Sequence, residues 1–310
     1  ISKFNEAKES LQAHWNIHIV NMYTEENAKS LLNIIYATKE LSGKFYLENP
    51  EQYVDGMIPI GKSYGGPISI RLQDMPHMLV AGQSGYGKSN FVKVMIRVLC
   101  ENNPESDVYF LDFKNGSELT ALKKYFGDTQ SNFFYEESVP DALKYLANLS
   151  GIIDARFNDM KQVGASNFDE YLEKYVTHSA TGSEVVMQDK LRRLYIVVDE
   201  APEIYKTAIG ESSVDRKKAR EGLSRLARQG RAAGIHLVAT AQKPDAKEID
   251  PTVKANMPAI LCFAVANVAA SVAALGTKRA FEIGTEHKGR AIYKFGPSLT
   301  EVQTYYFDEN

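Results

Sequence analysis

Cysteine is scarce in this chain. Cys100 and Cys262 are the only two among 310 residues, and each lies in an apolar run. Such a sequence is not a disulfide-stapled scaffold, and it predicts two buried thiols in a reducing compartment. The six histidines lack the spacing of metal ligands, so we expect no structural zinc.

Long apolar runs are also missing. The nearest candidate for a membrane span, residues 257–275, contains Pro258, Asn267 and Ser271 and is more typical of a strand followed by a helix. We therefore expect a cytoplasmic protein or the cytosolic domain of an inner-membrane protein. Because the chain begins with Ile1 rather than methionine, we expect a fragment, and a membrane anchor could lie upstream.

Charge of one sign is not in excess, since 36 basic and 39 acidic residues give a formal net charge of −3. This balance does not indicate a nucleic-acid binder, although a ring motor can keep its positive charge on a small inner surface. The length suffices for one large α/β domain with an appendage, or for two domains.

What the chain does have is a complete phosphate-binding loop. Residues 82–89 read Gly-Gln-Ser-Gly-Tyr-Gly-Lys-Ser, a match to G-x-x-x-x-G-K-[ST], between a strand-like run at 77–81 and a helical pattern at 90–99. The glycines let successive N–H groups point at a polyphosphate, Lys88 would reach the β- and γ-phosphates, and the Ser89 hydroxyl would bind Mg²⁺. The alternative is a glycine-rich turn that binds nothing.

We therefore expect ATP and Mg²⁺ as cofactors. The predicted nucleotide contacts are Gly82, Gln83, Ser84, Gly85, Tyr86, Gly87, Lys88, Ser89 and Asn90.

A second motif is an apolar strand that ends in two carboxylates, at residues 194–200 (Leu-Tyr-Ile-Val-Val-Asp-Glu). Asp199 would hold the Mg²⁺ shell, and Glu200 would polarise an attacking water. An ordinary strand followed by a solvated acidic turn is the alternative. The phosphate-binding loop earlier in the chain favours the functional interpretation.

The chain is predicted to have two parts, a helical appendage with a linker at 1–55 and a motor domain at 56–310. Residues 1–49 have the character of amphipathic helix, in which the apolar positions are Leu31, Leu32, Ile34, Ile35 and Leu41. Short strands and turns are expected at 51–76, and a polar loop or insertion at 161–190.

From residue 77 onward strands and helices alternate. Strands are predicted at 77–81, 108–112, 132–135, 194–200, 236–240 and 259–265, helices at 118–125, 140–160 and 216–232, and a β-rich end at 290–307. This order predicts an α/β fold with a mostly parallel central sheet covered by helices on both faces.

Residues 228–244 carry a family resemblance. They read Arg-Gln-Gly-Arg-Ala-Ala-Gly-Ile-His-Leu-Val-Ala-Thr-Ala-Gln-Lys-Pro, which resembles the G-R-A-x-G-I-H-L-x-x-A-T-Q-R-P signature of the FtsK/SpoIIIE family of DNA-pumping ATPases. Other pieces similar to the family occur in its order, so that the resemblance covers roughly residues 56–307. They are Pro59-Ile60-Gly61-Lys62, Met75-Pro76-His77-Met78-Leu79, Asp112-Phe113-Lys114 and Lys254-Ala255-Asn256-Met257-Pro258.

The resemblance implies a RecA-like P-loop NTPase fold, self-association into a hexameric ring, nucleotide sites at subunit boundaries and DNA threaded through the centre. Gln242 follows a strand parallel to the one that bears Asp199, so it is predicted to report hydrolysis, although it could instead cap a turn. Asp112 and Lys114 end another strand at the edge where α/β sheets bind ligands, or form a surface ion pair.

The chain also departs from the family. Ile260 stands where the family pattern N-I-P-T-R-I-A-F has its arginine, and Ala270-Ser271-Val272 replaces D-S-R. We therefore predict that Arg228 or Arg231 acts on the site of a neighbouring subunit; a structural role at the end of a helix is the alternative.

Basic residues are concentrated just before the signature. Such a helix is most often a solvated face, but here it could meet a neighbouring subunit or DNA. Its members are Arg216, Lys217, Lys218, Arg220, Arg225, Arg228 and Arg231.

The first hypothesis for function is an ATP-driven DNA translocase or coupling ATPase in plasmid or conjugative-element transfer or segregation, acting on single- or double-stranded DNA. Because the given sequence stops soon after the core, we expect no winged-helix module of the kind that chromosome-segregation pumps carry. The alternatives are a secretion-system ATPase that moves polypeptides, a chromosome-segregation DNA pump, and a scaffold that binds nucleotide without using it. Partners in the transfer or secretion machinery are expected.

Overall fold

A ten-stranded mixed sheet forms the centre of the computed structural model. The model describes residues 8–25, 28–38, 41, 43–114, 117–127, 129–181, 191–206, 213–242, 249–284 and 286–308.

The strands are β1 (His18–Glu25), β2 (Ala28–Ala37), β3 (Phe45–Tyr46), β4 (Met57–Ser63), β5 (Gly66–Arg71), β6 (His77–Ala81), β7 (Ser106–Asp112), β8 (Phe133–Glu136), β9 (Arg193–Asp199), β10 (Ile235–Ala241), β11 (Ala259–Phe263), β12 (Arg290–Phe295), β13 (Ser298–Gln303) and β14 (Tyr305–Tyr306).

The helices are α1 (Lys8–Trp15), α2 (Lys88–Asn102), α3 (Ser117–Phe126), α4 (Val139–Gln162), α5 (Phe168–Thr181), α6 (Ser213–Gln229), α7 (Pro251–Ala255), α8 (Val268–Leu275) and α9 (Arg279–Glu282), with short 3₁₀ turns at Pro50–Gln52 and Ala201–Tyr205.

The strand order of the central sheet is β5-β4-β13-β12-β11-β6-β10-β9-β7-β8. The six strands from β11 to β8 run parallel, and the other four extend the sheet in antiparallel fashion. The predicted mostly parallel sheet is thus confirmed, and the predicted β-rich segments at 51–76 and 290–307 form its antiparallel end.

Both faces of the sheet are covered, as predicted. Successive residues of a strand point to opposite faces, and in β6 Leu79 belongs to one core cluster whereas Met78 and Val80 belong to the other. The first cluster includes residues of α4 and α6, and the second includes residues of α2 and α3. Because β6 and β10 are buried along their whole length, most of their residues are apolar on both faces.

The helical prediction for residues 1–49 is wrong over most of its described length. Among the residues of this stretch that the structure describes, helix is confined to α1, and β1 pairs with β2 as an antiparallel hairpin. Residues 34–36 are Ile-Ile-Tyr, and β-branched and aromatic side chains in succession favour a strand over a helix. The boundary at 55/56 stays a prediction, and β3, which lies before it, pairs in parallel with β14 at the other end of the chain.

The predicted polar loop at 161–190 is wrong where it contains α5. Phe168, Tyr171, Leu172 and Tyr175 recur at the spacing of one helix face and pack together as an apolar cluster. Residues 182–190 lie outside the described part of the chain. The other strands and helices predicted from residue 77 onward are present, with ends shifted by a few residues.

The two cysteines are free and buried, in agreement with the prediction for the thiols. Within the described residues, no helix has the length and the apolar character needed to cross a membrane.

Candidate nucleotide site at the carboxyl edge of the sheet

The phosphate-binding loop connects β6 to α2 and is tied to three neighbouring segments by backbone hydrogen bonds. The Gly82 N–H donates to the Ala241 carbonyl (3.2 Å), the Gln83 N–H donates to the Ala264 carbonyl (2.9 Å), and the Tyr86 carbonyl accepts from the Gly289 N–H (2.9 Å). All three contacts are made by main-chain atoms, so the loop is anchored to its neighbours through its backbone.

Glycine is required at two positions of the loop. Gly82 and Gly87 have φ angles of 134° and 117°, and an added Cβ would lie 2.7 Å from the Phe263 Cβ and 3.0 Å from the Gly289 Cα, respectively. At Gly85 the φ of 86° also favours glycine, but an added Cβ would meet nothing within 4 Å. The loop is therefore packed tightly against the protein beneath and open above, which is the shape that a polyphosphate cradle needs.

Lys88 is nearly buried, with 6% of its surface exposed, and its Nζ donates to the Gly82 carbonyl at 2.6 Å. Burial lowers the pKa of Lys88, an effect that the negative charge of Glu200 opposes. An ammonium has three donors, so Lys88 can keep the loop carbonyl and still donate to phosphate oxygens.

Asp199 ends β9, where its carboxylate is buried between neighbouring strands. It pairs in register with Asp112 of β7, and its Oδ1 accepts a hydrogen bond from the Thr240 hydroxyl of β10 at 2.7 Å. Burial raises the pKa of Asp199, and the Thr240 hydrogen bond opposes that rise. Buried carboxylates normally need a partner, and a Mg²⁺ ion is one that suits this oxygen-rich edge.

Glu200 adopts an unusual left-handed conformation, with φ and ψ both at 59°. Its N–H donates to the Thr240 hydroxyl at 2.8 Å, its Oε1 accepts from the Gln242 N–H at 3.2 Å, and its Oε2 lies 3.4 Å from the Lys114 Nζ. A non-glycine residue in this region carries a backbone cost of about 1–2 kcal/mol. These contacts hold it there and aim the carboxylate.

The structure thus brings together Lys88, Asp199, Glu200 and Gln242 as the sequence predicts, and gives Lys114 an ion pair with Glu200. Sequence reasoning missed Thr240 and also Glu118, whose charge acts on both Lys88 and Asp199. The sequence offered one signal for each residue. Thr240 is a polar residue near the end of an apolar strand, and Glu118 is an acidic residue in the first turn of α3.

Comparison with known proteins identifies the chain. The model of the FtsK/SpoIIIE family matches residues 48–246. The chain belongs to the FtsK/SpoIIIE family.

Several members of the FtsK/SpoIIIE family are similar over most of this chain. DNA translocase FtsK of Shewanella oneidensis is 29% identical over 218 residues, 66% of this chain and 23% of the relative. FtsK of Streptococcus agalactiae is 27% identical over 258 residues, 80% of this chain and 30% of the relative. The chain therefore spans about a quarter of the length of the curated relatives it matches.

Among solved structures, the pCW3 conjugation coupling protein TcpA, in its monomer form with ATPγS, matches with a TM-score of 0.74 and 27% identity, covering 100% of this chain and 83% of TcpA. The type VII secretion ATPase EccC of Thermomonospora curvata matches with a TM-score of 0.68 and 19% identity, covering 86% of this chain and 32% of EccC. The latter likeness shows the fold alone, the RecA-like α/β fold of P-loop ATPases.

The two arginines predicted to act on a neighbouring subunit lie outside this cluster. Arg228 and Arg231 are exposed at the end of α6 and in the turn before β10, at the opposite edge of the sheet. The seven residues of β10 separate that edge from the phosphate-binding loop, about 20 Å at 3.3 Å per residue. They do not reach the loop of their own subunit.

Asn90, a predicted nucleotide contact, uses its side chain elsewhere. Its Nδ2 donates to the Tyr305 carbonyl at 2.7 Å, and its Oδ1 accepts from the Phe307 N–H at 2.9 Å. The side chain fastens the C-terminal segment to α2, so only the backbone of Asn90 stays in the nucleotide-site prediction.

The basic residues before the signature divide into two groups. Arg216 and Arg220 donate to carbonyls of residues 203–205, and Arg225 donates to both carboxylate oxygens of Asp154. Lys217, Lys218, Arg228 and Arg231 are exposed. Lys243 and Pro244, at the end of the signature, lie outside the described residues.

Proposed function

We propose that this chain is the motor part of an ATP-driven DNA translocase or coupling ATPase that works in plasmid or conjugative-element transfer or segregation. The observation that carries the proposal is the convergence of Lys88, Asp199 and Glu200 at one edge of the sheet. Further support comes from the similarity to TcpA, a conjugation coupling protein, along the whole chain, and to translocases named FtsK.

ATP would bind with its phosphates in the open side of the loop. The loop N–H groups beyond Gly82 and Gln83, together with the N-terminus of α2, would direct positive charge at that position, and Lys88 would add donors to the β- and γ-phosphate oxygens. Ser89 and Asp199 would hold Mg²⁺, which supplies positive charge against the phosphate oxygens when it is bound.

In this proposal Glu200 acts on the attacking water. Its carboxylate would orient the water and take up its proton at a carboxylate oxygen. The Gln242 N–H and Lys114 bind that carboxylate, so a hydrogen bond connects the residue after β10 to Glu200. Through this hydrogen bond Gln242 would transmit the state of the nucleotide to the segment that follows it.

We further propose assembly into a hexameric ring around DNA, with nucleotide sites between subunits. Since Arg228 and Arg231 lie far from the loop of their own chain, an arginine contribution from either would have to come from a neighbouring copy. The transfer machinery would supply the partners of this ring.

The test is ATP turnover with and without single- and double-stranded DNA, over a range of protein concentrations, with Glu200→Gln as the inactive control. We expect DNA to stimulate turnover, and turnover per subunit to rise with protein concentration as rings form. Turnover that ignores DNA but responds to a polypeptide substrate would favour a secretion-type ATPase. Absence of turnover at every concentration would contradict the proposal.

A further inference from the structure

The Thr240 hydroxyl links the carboxylate of Asp199 to the backbone of Glu200. Thr240 is 1% exposed; its Oγ1 donates to the Asp199 Oδ1 at 2.7 Å and accepts the Glu200 N–H at 2.8 Å. The direction of both bonds is fixed by chemistry, because a backbone N–H can only donate and a hydroxyl has a single proton. One small group therefore contacts two consecutive acidic residues in opposite hydrogen-bonding roles.

The Thr240 contact lies just beyond the last backbone pair between β9 and β10. The paired register between β9 and β10 ends at Val198 and Ala239. The next polar groups along β9 are the Asp199 carboxylate and the Glu200 N–H, and it is the Thr240 side chain that binds them. The hydroxyl thereby fixes the backbone of Glu200 in its left-handed conformation while it orients the carboxylate of Asp199.

The arrangement depends on a local feature of this chain. The signature quoted above has alanine and then threonine before its glutamine, whereas this chain has Thr240 and then Ala241. Ala239 and Ala241 belong to one core cluster and Val238 to the other, so Thr240 lies on the face of Val238. A threonine one residue later would point to the opposite face of the sheet.

We propose that Thr240 is a positioning residue whose hydroxyl sets the Mg²⁺-binding carboxylate Asp199 and the water-orienting residue Glu200 relative to each other. This inference rests on the proposed function. Without the hydroxyl, the Asp199 Oδ1 and the Glu200 N–H each lose a partner in a buried place, and Glu200 loses the contact that holds its strained backbone.

The variants for the test are Thr240→Val, which removes the hydroxyl at nearly constant volume, and Thr240→Ser, which keeps it. Ser271→Ala is the matched control. The Ser271 hydroxyl is also buried, donates to the Thr277 carbonyl at 2.7 Å and accepts the Ala280 N–H at 3.0 Å, but it belongs to α8.

The first readout is the affinity for ATPγS with and without Mg²⁺, and the second is ATP turnover. In Thr240→Val we expect the gain in affinity from Mg²⁺ and the turnover each to fall about 10- to 100-fold, the usual cost of removing a group that orients a metal ligand. Affinity without Mg²⁺ should be unchanged, and Thr240→Ser should restore both quantities. Ser271→Ala should lower the melting temperature and leave both quantities at the wild-type level.

A wild-type Mg²⁺ response and wild-type turnover in Thr240→Val would overturn the inference, as would an equal loss in Ser271→Ala. If Thr240→Val does not fold, Thr240→Ala and Thr240→Cys decide by the same readouts. A wild-type protein that binds ATPγS with Mg²⁺ but does not hydrolyse ATP would contradict the proposed function, while the Mg²⁺ readout would still decide the role of Thr240.

Discussion

At the scale of single residues, Lys88 and Glu200 have roles that mutation can separate. Lys88→Ala removes the buried ammonium that would meet the phosphates, so ATPγS affinity should weaken and turnover should fall by orders of magnitude.

Glu200→Gln keeps the size of the side chain and removes the proton acceptor, so ATPγS affinity should stay near wild type while turnover is lost. Both variants are checked by measuring ATPγS binding and ATP turnover on the same preparations. Persistent turnover in Glu200→Gln would move the role to another carboxylate.

His77 provides a prediction for stability against pH. It is buried at the start of β6, its Nδ1 accepts the Leu237 N–H at 3.0 Å, and burial lowers its pKa from 6.5 to about 4. Between these values the unfolded chain binds a proton that the folded protein does not, so stability falls as the pH falls from 6.5 towards 4. The full loss is about 3 kcal/mol at 1.36 kcal/mol per pKa unit.

The check is urea unfolding of the wild type and His77→Asn at pH 7 and pH 5. Asparagine can offer an oxygen close to the place of Nδ1 but has no proton to gain, so the variant should lose less stability on acidification. Burial also lowers the pKa of His236. Because His236 is present in the wild type and in His77→Asn, the stability of both proteins should still decrease to some extent on acidification. Equal losses in the two proteins would show that His77 does not carry the effect.

The predicted site residues that the structure brings to one edge of the sheet are those whose motif fixes both type and spacing. The loop with Lys88, and the strand that ends in Asp199 and Glu200, could be read directly because chemistry dictates their order. Thr240 could not, since a threonine in an apolar strand reads as an ordinary strand former. Its role exists only because β10 lies beside β9, a neighbour relation that the local pattern does not contain.

At the scale of elements, α4 and α6 approach each other so closely at Gly222 that no side chain fits. An added Cβ would lie 2.1 Å from the Leu146 carbonyl oxygen. Gly222→Ala should therefore lower the free energy of unfolding by about 1–3 kcal/mol, although alanine is the better helix former.

Gly151 in α4 is the matched control for Gly222. It is exposed, and an added Cβ would meet nothing within 4 Å. Gly151→Ala should therefore raise the free energy of unfolding by up to about 1 kcal/mol. Denaturant unfolding measures both variants. Two changes of the same sign would mean that helix propensity, rather than the helix contact, dominates at Gly222.

The two errors in the predicted elements have different physical causes. At 28–37 the apolar residues satisfy a loose helical spacing, but β2 forms because an antiparallel partner, β1, lies just before it. At 168–181 the helical spacing was present in Phe168, Tyr171, Leu172 and Tyr175, and the polar residues between them hid it. The alternating strands and helices from residue 77 onward were predictable, since apolar strands between amphipathic helices allow few other folds.

At the scale of the whole molecule, binding to DNA should be sensitive to salt and largely independent of sequence. The net charge is −3, so contacts to phosphates must come from local groups such as the exposed Lys217 and Lys218 of α6. Between about 50 mM and about 200 mM salt the affinity should fall at least about ten-fold, the loss expected for roughly two neutralised phosphates.

Fluorescence anisotropy with unrelated DNA duplexes at several salt concentrations measures this dependence. Replacing Lys217 and Lys218 by glutamine should reduce the slope of affinity against salt. Lys144→Gln on α4, where Lys144 is exposed and pairs with Asp141, is the control and should leave the slope unchanged. Affinity that is constant over the salt range, or confined to one short sequence, would argue against a translocating ring.

The last prediction concerns an arginine that acts between subunits. Arg231 and Arg228 lie about 20 Å from their own phosphate-binding loop, across β10, so either can affect ATP turnover electrostatically only at the loop of a neighbouring copy. Arg231→Ala, or otherwise Arg228→Ala, should leave ATPγS affinity nearly unchanged and cut turnover by about 10³-fold or more, the scale of an arginine finger.

Mixing variants gives the sharper test of that arginine. A ring that contains both Lys88→Ala and Arg231→Ala subunits has some interfaces where an intact arginine meets an intact loop, so part of the turnover should return. Mixing Lys88→Ala with the double variant Lys88→Ala/Arg231→Ala creates no such interface and should remain inactive. If mixtures that demonstrably co-assemble show no recovery with Arg231 or with Arg228, these arginines are structural residues of the α6–β10 turn. The positive charge of the family's arginine, which Ile260 replaces here, would then have to come from another residue of the proposed ring.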